Sequence, residues 1–132
     1  MAKLTYRGTL KSASGNVVDV SLSVLAYEDE GLQVIFSPAL DVFGYGHTDQ
    51  EARQSFDETL AEFLRYATNK GTLQAELVRL GWKTTGRLSR RIFKPPAFSS
   101  LLRGNEQLQD IVNHKDFRKY DRRVELPALA LA

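Results

Sequence analysis

Residues 36–52, FSPALDVFGYGHTDQEA, decide the fold because the spacing of apolar residues changes within them. Before this stretch, apolar and polar residues alternate as they do in β-strands; after it, apolar residues recur at intervals of three and four, as in a helix. Thr48-Asp49-Gln50-Glu51 has the form of a capping box, in which the threonine oxygen accepts from the backbone at Glu51 and the glutamate reaches back. A helix is therefore predicted to begin at this point.

Upstream of this stretch, the alternation predicts strands over residues 3–11, 17–27 and 32–36. Residues 42–46 suit either a short fourth strand or an ordered turn. The connections between these segments are short and rich in turn-forming residues, which favours an antiparallel meander.

Downstream, one apolar stripe predicts an amphipathic helix from about residue 49 to residue 69, ending near Gly71. Thr72 then opens a shorter helix. The predicted fold class is α+β: a three- to four-stranded antiparallel meander with a long amphipathic helix packed across it. Residues 1–81 are predicted to form this domain.

Residues 82–132 give a weaker pattern. Residues 84–86 suit a turn, 88–93 a strand and 98–103 a helical turn, and Asn105 suits the cap of a further helix. The apolar residues after it are scattered among charges. We therefore predict a basic C-terminal extension of mixed strand and helix, which either folds against the domain or binds a partner.

The net charge of +2 is the sum of two unlike parts. Residues 1–80 carry seven Lys and Arg against eleven Asp and Glu, a net charge of −4, whereas residues 81–132 carry eleven against five, a net charge of +6. An acidic first part and a basic last part in one chain indicate two surfaces with different partners.

Several classes of site lack the residues they need. The chain has no cysteine, which excludes disulfides and thiolate chemistry. His47 and His114 stand apart from other metal ligands, and Asp57, Glu58 and Glu62 have the spacing of a solvated helix face. No phosphate-binding loop or nucleophile elbow is present. We expect no enzyme activity, no metal and no cofactor.

The basic segment contains cations mixed with aromatic residues. This composition suits a nucleic-acid backbone, an acidic partner protein, the chain's own acidic domain or an ordinary solvated surface. The candidate nucleic-acid-binding residues are Lys115, Arg118, Lys119, Arg122 and Arg123.

The stretch from residue 36 to residue 52 resembles the HicB antitoxin family. The family pattern has a strand ending in an aromatic residue, a Pro-x-Leu turn, and then glycine, threonine, glutamate and alanine leading into a helix. These features fall on Phe36, Pro38, Leu40, Gly46, Thr48, Glu51 and Ala52, and the resemblance covers residues 3–81. Asp41-Val42-Phe43 departs from the family, which commonly has a proline-glycine pair there.

The resemblance implies a partial ribonuclease-H-like fold without nuclease activity. It also implies a role as an antitoxin that neutralises a small basic mRNA-cleaving toxin of the HicA family. Family members often bind operator DNA through a C-terminal domain, but residues 82–132 match no such module.

The leading hypothesis is therefore a non-catalytic, antitoxin-like binding protein of the bacterial cytoplasm. The alternatives are a nucleic-acid-binding regulator that acts through the basic segment, or an orphan HicB-like module. The candidate partner-binding residues are Phe43, Tyr45 and His47, with Arg90, Arg91 and Phe93 in the extension, since aromatic and arginine side chains are the usual anchors of interfaces. No signal peptide or membrane span is expected, and an exposed strand edge would permit a homodimer or higher oligomer.

Overall fold

Residues 17–85 and 92–127 are the part of the chain that this structure, a computed structural model, describes. In chain order their elements are β1 (Val17–Asp29), β2 (Leu32–Ser37), β3 (Val42–Gly46), α1 (Asp49–Lys70), α2 (Leu73–Arg79), β4 (Lys83–Thr85), β5 (Ile92–Lys94), α3 (Phe98–Gly104), α4 (Glu106–His114) and β6 (Arg118–Pro127). None of these helices has both the length and the apolar composition that crossing a membrane requires.

The central sheet has the strand order β3-β2-β1-β6, and its strands are antiparallel. β2 pairs with the second half of the long strand β1, where Leu25 lies opposite Phe36. β6 pairs with the first part of β1 on its other side, where Val20 lies opposite Val124. The long helix α1 packs across β3, β2 and β6. The predicted α+β class, an antiparallel sheet crossed by a long amphipathic helix, is therefore confirmed.

The local patterns locate most of these elements correctly. The strands predicted over 17–27 and 32–36 are β1 and β2, and residues 42–46 form a strand, β3, rather than a turn. The strand predicted over 3–11 lies outside the described residues. The long helix ends as predicted at Gly71, whose φ of 69° is the left-handed conformation that glycine adopts most readily.

Helices cover both faces of the sheet. On the first face, called the α1 face, Phe56 of α1 is buried in one cluster with residues of β1 and β2. On the opposite α4 face, Leu108 and Ile111 of α4 are buried against the same two strands. Residues 24–27 of β1 are consecutively buried, which is the pattern expected of a strand covered on both sides. The sheet is therefore the middle layer of three.

The basic segment contains strands and helices as predicted, and it folds against the first part of the chain, since β6 is a ten-residue strand of the central sheet. Val124 and Leu126 are buried on the α1 face, and residues on either side of them alternate outward. Arg118 and Arg122 occupy two further positions on the α1 face, where they contact carboxylates of α1. Because these two arginines occupy positions on the face where apolar residues are expected, the apolar–polar alternation of a strand is not evident in the sequence of β6.

The boundary predicted at residue 81 falls inside a common hydrophobic core. Trp82 and Phe93 are buried in the same cluster as Val20 and Phe56. The indole Nε1–H of Trp82 donates to the carbonyl oxygen of Ala39 at 2.8 Å. The turn predicted over 84–86 begins instead with β4, which pairs with β5 in a two-stranded ladder. Within the described residues, the two parts of the chain therefore fold together.

Candidate protein-binding surface

The helix α1 approaches β3 so closely that only glycine fits at two positions of the strand. A Cβ atom added to Gly44 would lie 2.4 Å from the backbone nitrogen of Phe56, and one added to Gly46 would lie 2.5 Å from Cβ of Glu51. Both distances are far below van der Waals contact. The Gly44-Tyr45-Gly46 segment therefore serves helix packing.

The predicted capping box forms at the start of α1. The hydroxyl of Thr48 accepts from the backbone N–H of Glu51 at 3.1 Å. The carboxylate of Glu51 accepts from the backbone N–H of His47 at 2.8 Å, one residue earlier than the usual partner at the cap itself. These two bonds hold the exposed residue His47 and the end of β3 in a defined position against the helix.

Tyr45 is the main exposed aromatic residue of β3, with 51% of its surface accessible. The backbone N–H of Tyr45 donates to the hydroxyl of Ser55 on α1 at 3.1 Å, so this N–H group points away from β2. In an antiparallel ladder such a residue belongs to a non-hydrogen-bonded pair, whose side chains lie close together. Accordingly, Phe43 stacks on Phe36 with ring centroids 4.1 Å apart, and Tyr45 follows Phe43 at 6.0 Å. This ladder fixes the orientation of the tyrosine ring.

Two carboxylates of α1 flank the contact between Tyr45 and Ser55. Glu51 and Glu58 lie four residues before and three residues after Ser55, which places all three on one side of the helix. Their hydrogen-bond donors are the His47 backbone and the side-chain amide of Gln54, and both donors are neutral. The end of β3 and this side of α1 are together called the β3–α1 surface; its residues are Tyr45, His47, Glu51, Gln54 and Glu58.

The candidate nucleic-acid-binding residues mostly contact the chain's own carboxylates. Lys115 binds Asp29 at 2.9 Å, Arg118 approaches Asp49 at 3.6 Å, Arg122 binds Asp57, and Arg123 binds Asp19 at 3.3 Å. The ammonium of Lys119 instead lies 5.0 Å from the ring centre of Phe98. Among the interpretations left open above, contact with the acidic part of the chain is the one found in the structure.

An open cleft of about 630 Å³ separates α1 from β6. Four cationic side chains line it together with two carboxylates and a tyrosine: Arg53, Arg118, Lys119 and Arg122, with Asp49, Asp57 and Tyr120. The pKa of Arg53 is raised above its ordinary value, first by its hydrogen bond to Asp49. The cleft therefore has mixed charge, and each of its carboxylates forms an ion pair with at least one of its cations.

The remaining candidate residues fall into three groups. Phe43 is half-buried beside Tyr45, and His47 is exposed at the end of β3. Phe93 is only 1% exposed, so its side chain packs in the core and is not available as an interface anchor. The sequence pattern correctly predicted that Phe93 lies on a strand, but its burial depends on contacts with residues distant in sequence. Arg90 and Arg91 lie outside the described residues.

The structure also shows the surroundings of the carboxylates and of the second histidine. His114 contacts Asp110 one helical turn away at 3.0 Å on the exposed side of α4. Within residues 17–85 and 92–127, no three His, Asp or Glu side chains converge as a metal site would require. Sequence analysis missed Gln54 and Glu58 of this surface, and also Ser55, whose hydroxyl binds the Tyr45 backbone, because only the packing of α1 against β3 brings this part of the helix to the strand.

Comparisons with protein families, curated proteins and solved structures found no match to this chain. The surface is therefore interpreted from its own chemistry and from the motif at residues 36–52. Three residues of the surface, Tyr45, His47 and Glu51, lie within that motif, and Glu51 is one of the residues that carry the resemblance.

Proposed function

We propose that this protein is a non-catalytic, antitoxin-like binding protein that neutralises a small basic mRNA-cleaving toxin of the HicA type. The observation that carries the proposal is the β3–α1 surface, which combines the exposed tyrosine of β3 with two carboxylates of α1 whose hydrogen-bond partners are neutral. Such a toxin acts on mRNA, so the proposal places this protein in the cytoplasm.

The chemistry of the surface suits a basic ribonuclease. An enzyme that binds RNA must present cations to the phosphate backbone. Carboxylates in a fixed arrangement attract those cations during the encounter and occupy them in the complex. Covering the RNA-binding face in this way would inhibit cleavage.

Preorganisation also supports the proposal. The ring of Tyr45 is aligned by the stack with Phe43, its backbone is bound to Ser55, and the carboxylate of Glu51 is held by the His47 backbone. Side chains already held in place lose little conformational freedom on binding, which leaves more of the contact energy for affinity. Tyrosine is among the residues that most often dominate an interface.

Nucleic-acid binding through the basic segment has less support. Four of its five candidate cations contact carboxylates of the same chain, so much of their charge is compensated before any ligand arrives. A polyanion would have to displace Asp29, Asp49, Asp57 and Asp19 or share these cations with them.

The test is co-expression with the small basic protein encoded by an adjacent reading frame. That protein alone should arrest growth, and co-expression should relieve the arrest and yield a complex that copurifies. Combining Tyr45→Ala with Glu58→Arg should weaken the complex at least about tenfold, the effect expected for an interface anchor and a reversed charge.

Asp116→Arg provides the matched control, because it makes the same charge change at an exposed site outside the β3–α1 surface. If the doubly substituted protein still relieves growth arrest and binds the toxin with full affinity, the toxin does not bind at the β3–α1 surface. If every adjacent small protein fails to arrest growth or to bind, the proposed function is wrong.

A further inference from the structure

Among the described residues, the outer edge of β6 is not paired with another strand. β6 is the last strand of the sheet, and among residues 17–85 and 92–127 no strand lies beyond it. It is ten residues long, twice the length of β3 at the opposite edge. An edge of this length offers a row of backbone donors and acceptors to another strand.

The exposed side chains of β6 alternate in charge on the α4 face. Lys119, Asp121, Arg123 and Glu125 lie on this face in that order, and all four are exposed. The order is positive, negative, positive, negative. Reversing the strand reverses the order, so the strand is complementary to an antiparallel copy of itself.

The geometry of antiparallel pairing restricts the register. Residues directly opposite each other must both point their backbone groups inward or both outward, so a two-fold axis between identical strands passes through a residue. An axis at Asp121 would place Asp121 opposite itself and Lys119 opposite Arg123. An axis at Arg123 would place Arg123 opposite itself and Asp121 opposite Glu125. Both registers bring like charges together.

An axis at Arg122 gives a different result. Lys119 then lies opposite Glu125 of the second copy, and Asp121 lies opposite Arg123 of the second copy. With the symmetric equivalents, four opposite-charge pairs form on the α4 face. Cross-strand pairs of this kind stabilise a sheet, and like charges directly opposite destabilise it.

The α1 face is compatible with the same register. Tyr120, which is 37% exposed, lies opposite Val124 of the second copy, so an aromatic ring meets a β-branched side chain. The two Arg122 side chains meet at the axis, and each is already bound to Asp57 of its own copy. That ion pair lowers the repulsion between them. The paired segment runs from residue 118 to residue 126 and leaves out Pro127, which has no N–H to donate.

We propose that two copies of this chain associate through β6 in the register with Arg122 on the two-fold axis. The four described strands of each copy then form one continuous antiparallel sheet, and α1 of both copies lies on the same side of it. This assembly leaves the β3–α1 surface at the far edges of the sheet, so one dimer presents that surface twice.

Sedimentation equilibrium of the 132-residue chain tests the proposal. The unsubstituted chain should form a dimer. Lys119→Glu places two pairs of glutamates opposite each other, and Glu125→Lys places two pairs of lysines opposite each other. Each substitution should raise the dissociation constant of the dimer at least about tenfold, since two favourable cross-strand pairs become repulsive.

Mixing provides the decisive measurement. In a heterodimer of Lys119→Glu with Glu125→Lys, both altered pairs again join opposite charges, so an equimolar mixture should dimerise at a concentration at which each variant alone is monomeric. Asp116→Arg is the control and should dimerise normally, because residue 116 lies outside the paired segment. Monomeric unsubstituted protein would overturn the proposal. So would a dimer that tolerates each single substitution, or two monomeric variants that fail to combine.

Discussion

Arg122 of β6 and Asp57 of α1 form an ion pair that joins the basic and the acidic parts of the chain. The guanidinium of Arg122 also lies 5.5 Å from the ring centre of Phe56, so the same side chain makes a cation–π contact with the core. Three further cations of the last part of the chain also form ion pairs with carboxylates of the first part: Lys115, Arg118 and Arg123. Part of the charge asymmetry of the sequence is therefore compensated within the fold.

Replacing Arg122 with alanine should lower the free energy of unfolding by about 1–2 kcal/mol. The substitution removes the ion pair, the cation–π contact and the packing of the aliphatic stem, and the Arg122 side chain is only 31% exposed. Urea denaturation measures the change. Arg65→Ala is the control, because its pair with Glu62 is 63% exposed on the arginine side and should contribute under about 0.5 kcal/mol. Equal losses for the two variants would contradict the role assigned to Arg122.

Gly44→Ala should destabilise the protein by roughly 2 kcal/mol or more. The added methyl group would meet the backbone of α1 at Phe56, which can move only if the helix shifts away from the sheet. Thermal denaturation gives the measurement. Gly104→Ala tests the same chemical change where a Cβ meets nothing within 4 Å, and it should be neutral or slightly stabilising.

Thr48→Ala should cost about 1 kcal/mol of stability, because the Thr48 hydroxyl accepts from the backbone of Glu51 at the start of α1. Thr72→Ala is a matched control at the start of α2, since Thr72 makes no side-chain hydrogen bond as a cap. Its effect should stay within about 0.5 kcal/mol. A cost at Thr72 equal to that at Thr48 would argue against the capping interpretation.

Tyr27 should make stability fall at alkaline pH. Burial raises the pKa of its phenol from 10.0 to about 12, with smaller contributions from Tyr45, Asp29 and Asp110. Between these values the unfolded chain loses a proton that the folded chain keeps, so the free energy of unfolding decreases as pH rises from 10.0 to about 12.

Denaturant unfolding at several pH values tests this dependence. Tyr27→Phe should reduce the decline across that range, because it removes the buried phenol. Tyr66→Phe should leave the decline unchanged, since Tyr66 is 65% exposed. An identical pH profile for the original chain and Tyr27→Phe would show that another group is responsible.

The start and end of α1 show how much local sequence can predict. The capping bond between Thr48 and Glu51 and the left-handed turn at Gly71 each depend on residues at most five apart, so the sequence pattern is enough to locate them. The same holds for β1 and β2, where alternation matches the two faces of a strand. Glycine at position 44 carried no such signal, because its neighbour Phe56 is twelve residues away on another element.

For the candidate surface, too, the sequence was enough to identify some residues, whereas the role of others depends on tertiary contacts. Tyr45 was identified as an aromatic residue close to a predicted helix, but its contact with Ser55 depends on the packing of α1 on β3. Phe93 was a candidate for contact with a partner and is instead core, because burial depends on what covers a residue from elsewhere in the chain.

The sequence by itself determined the class of the fold, the limits of α1 and the division into an acidic and a basic part, because each depends on composition or on neighbouring residues. Only the tertiary structure decided that β6 completes the sheet and that its cations meet the chain's own carboxylates. Val20 and Val124 are far apart along the chain, and they pair because burying both against α1 outweighs the entropy lost in closing so long a loop.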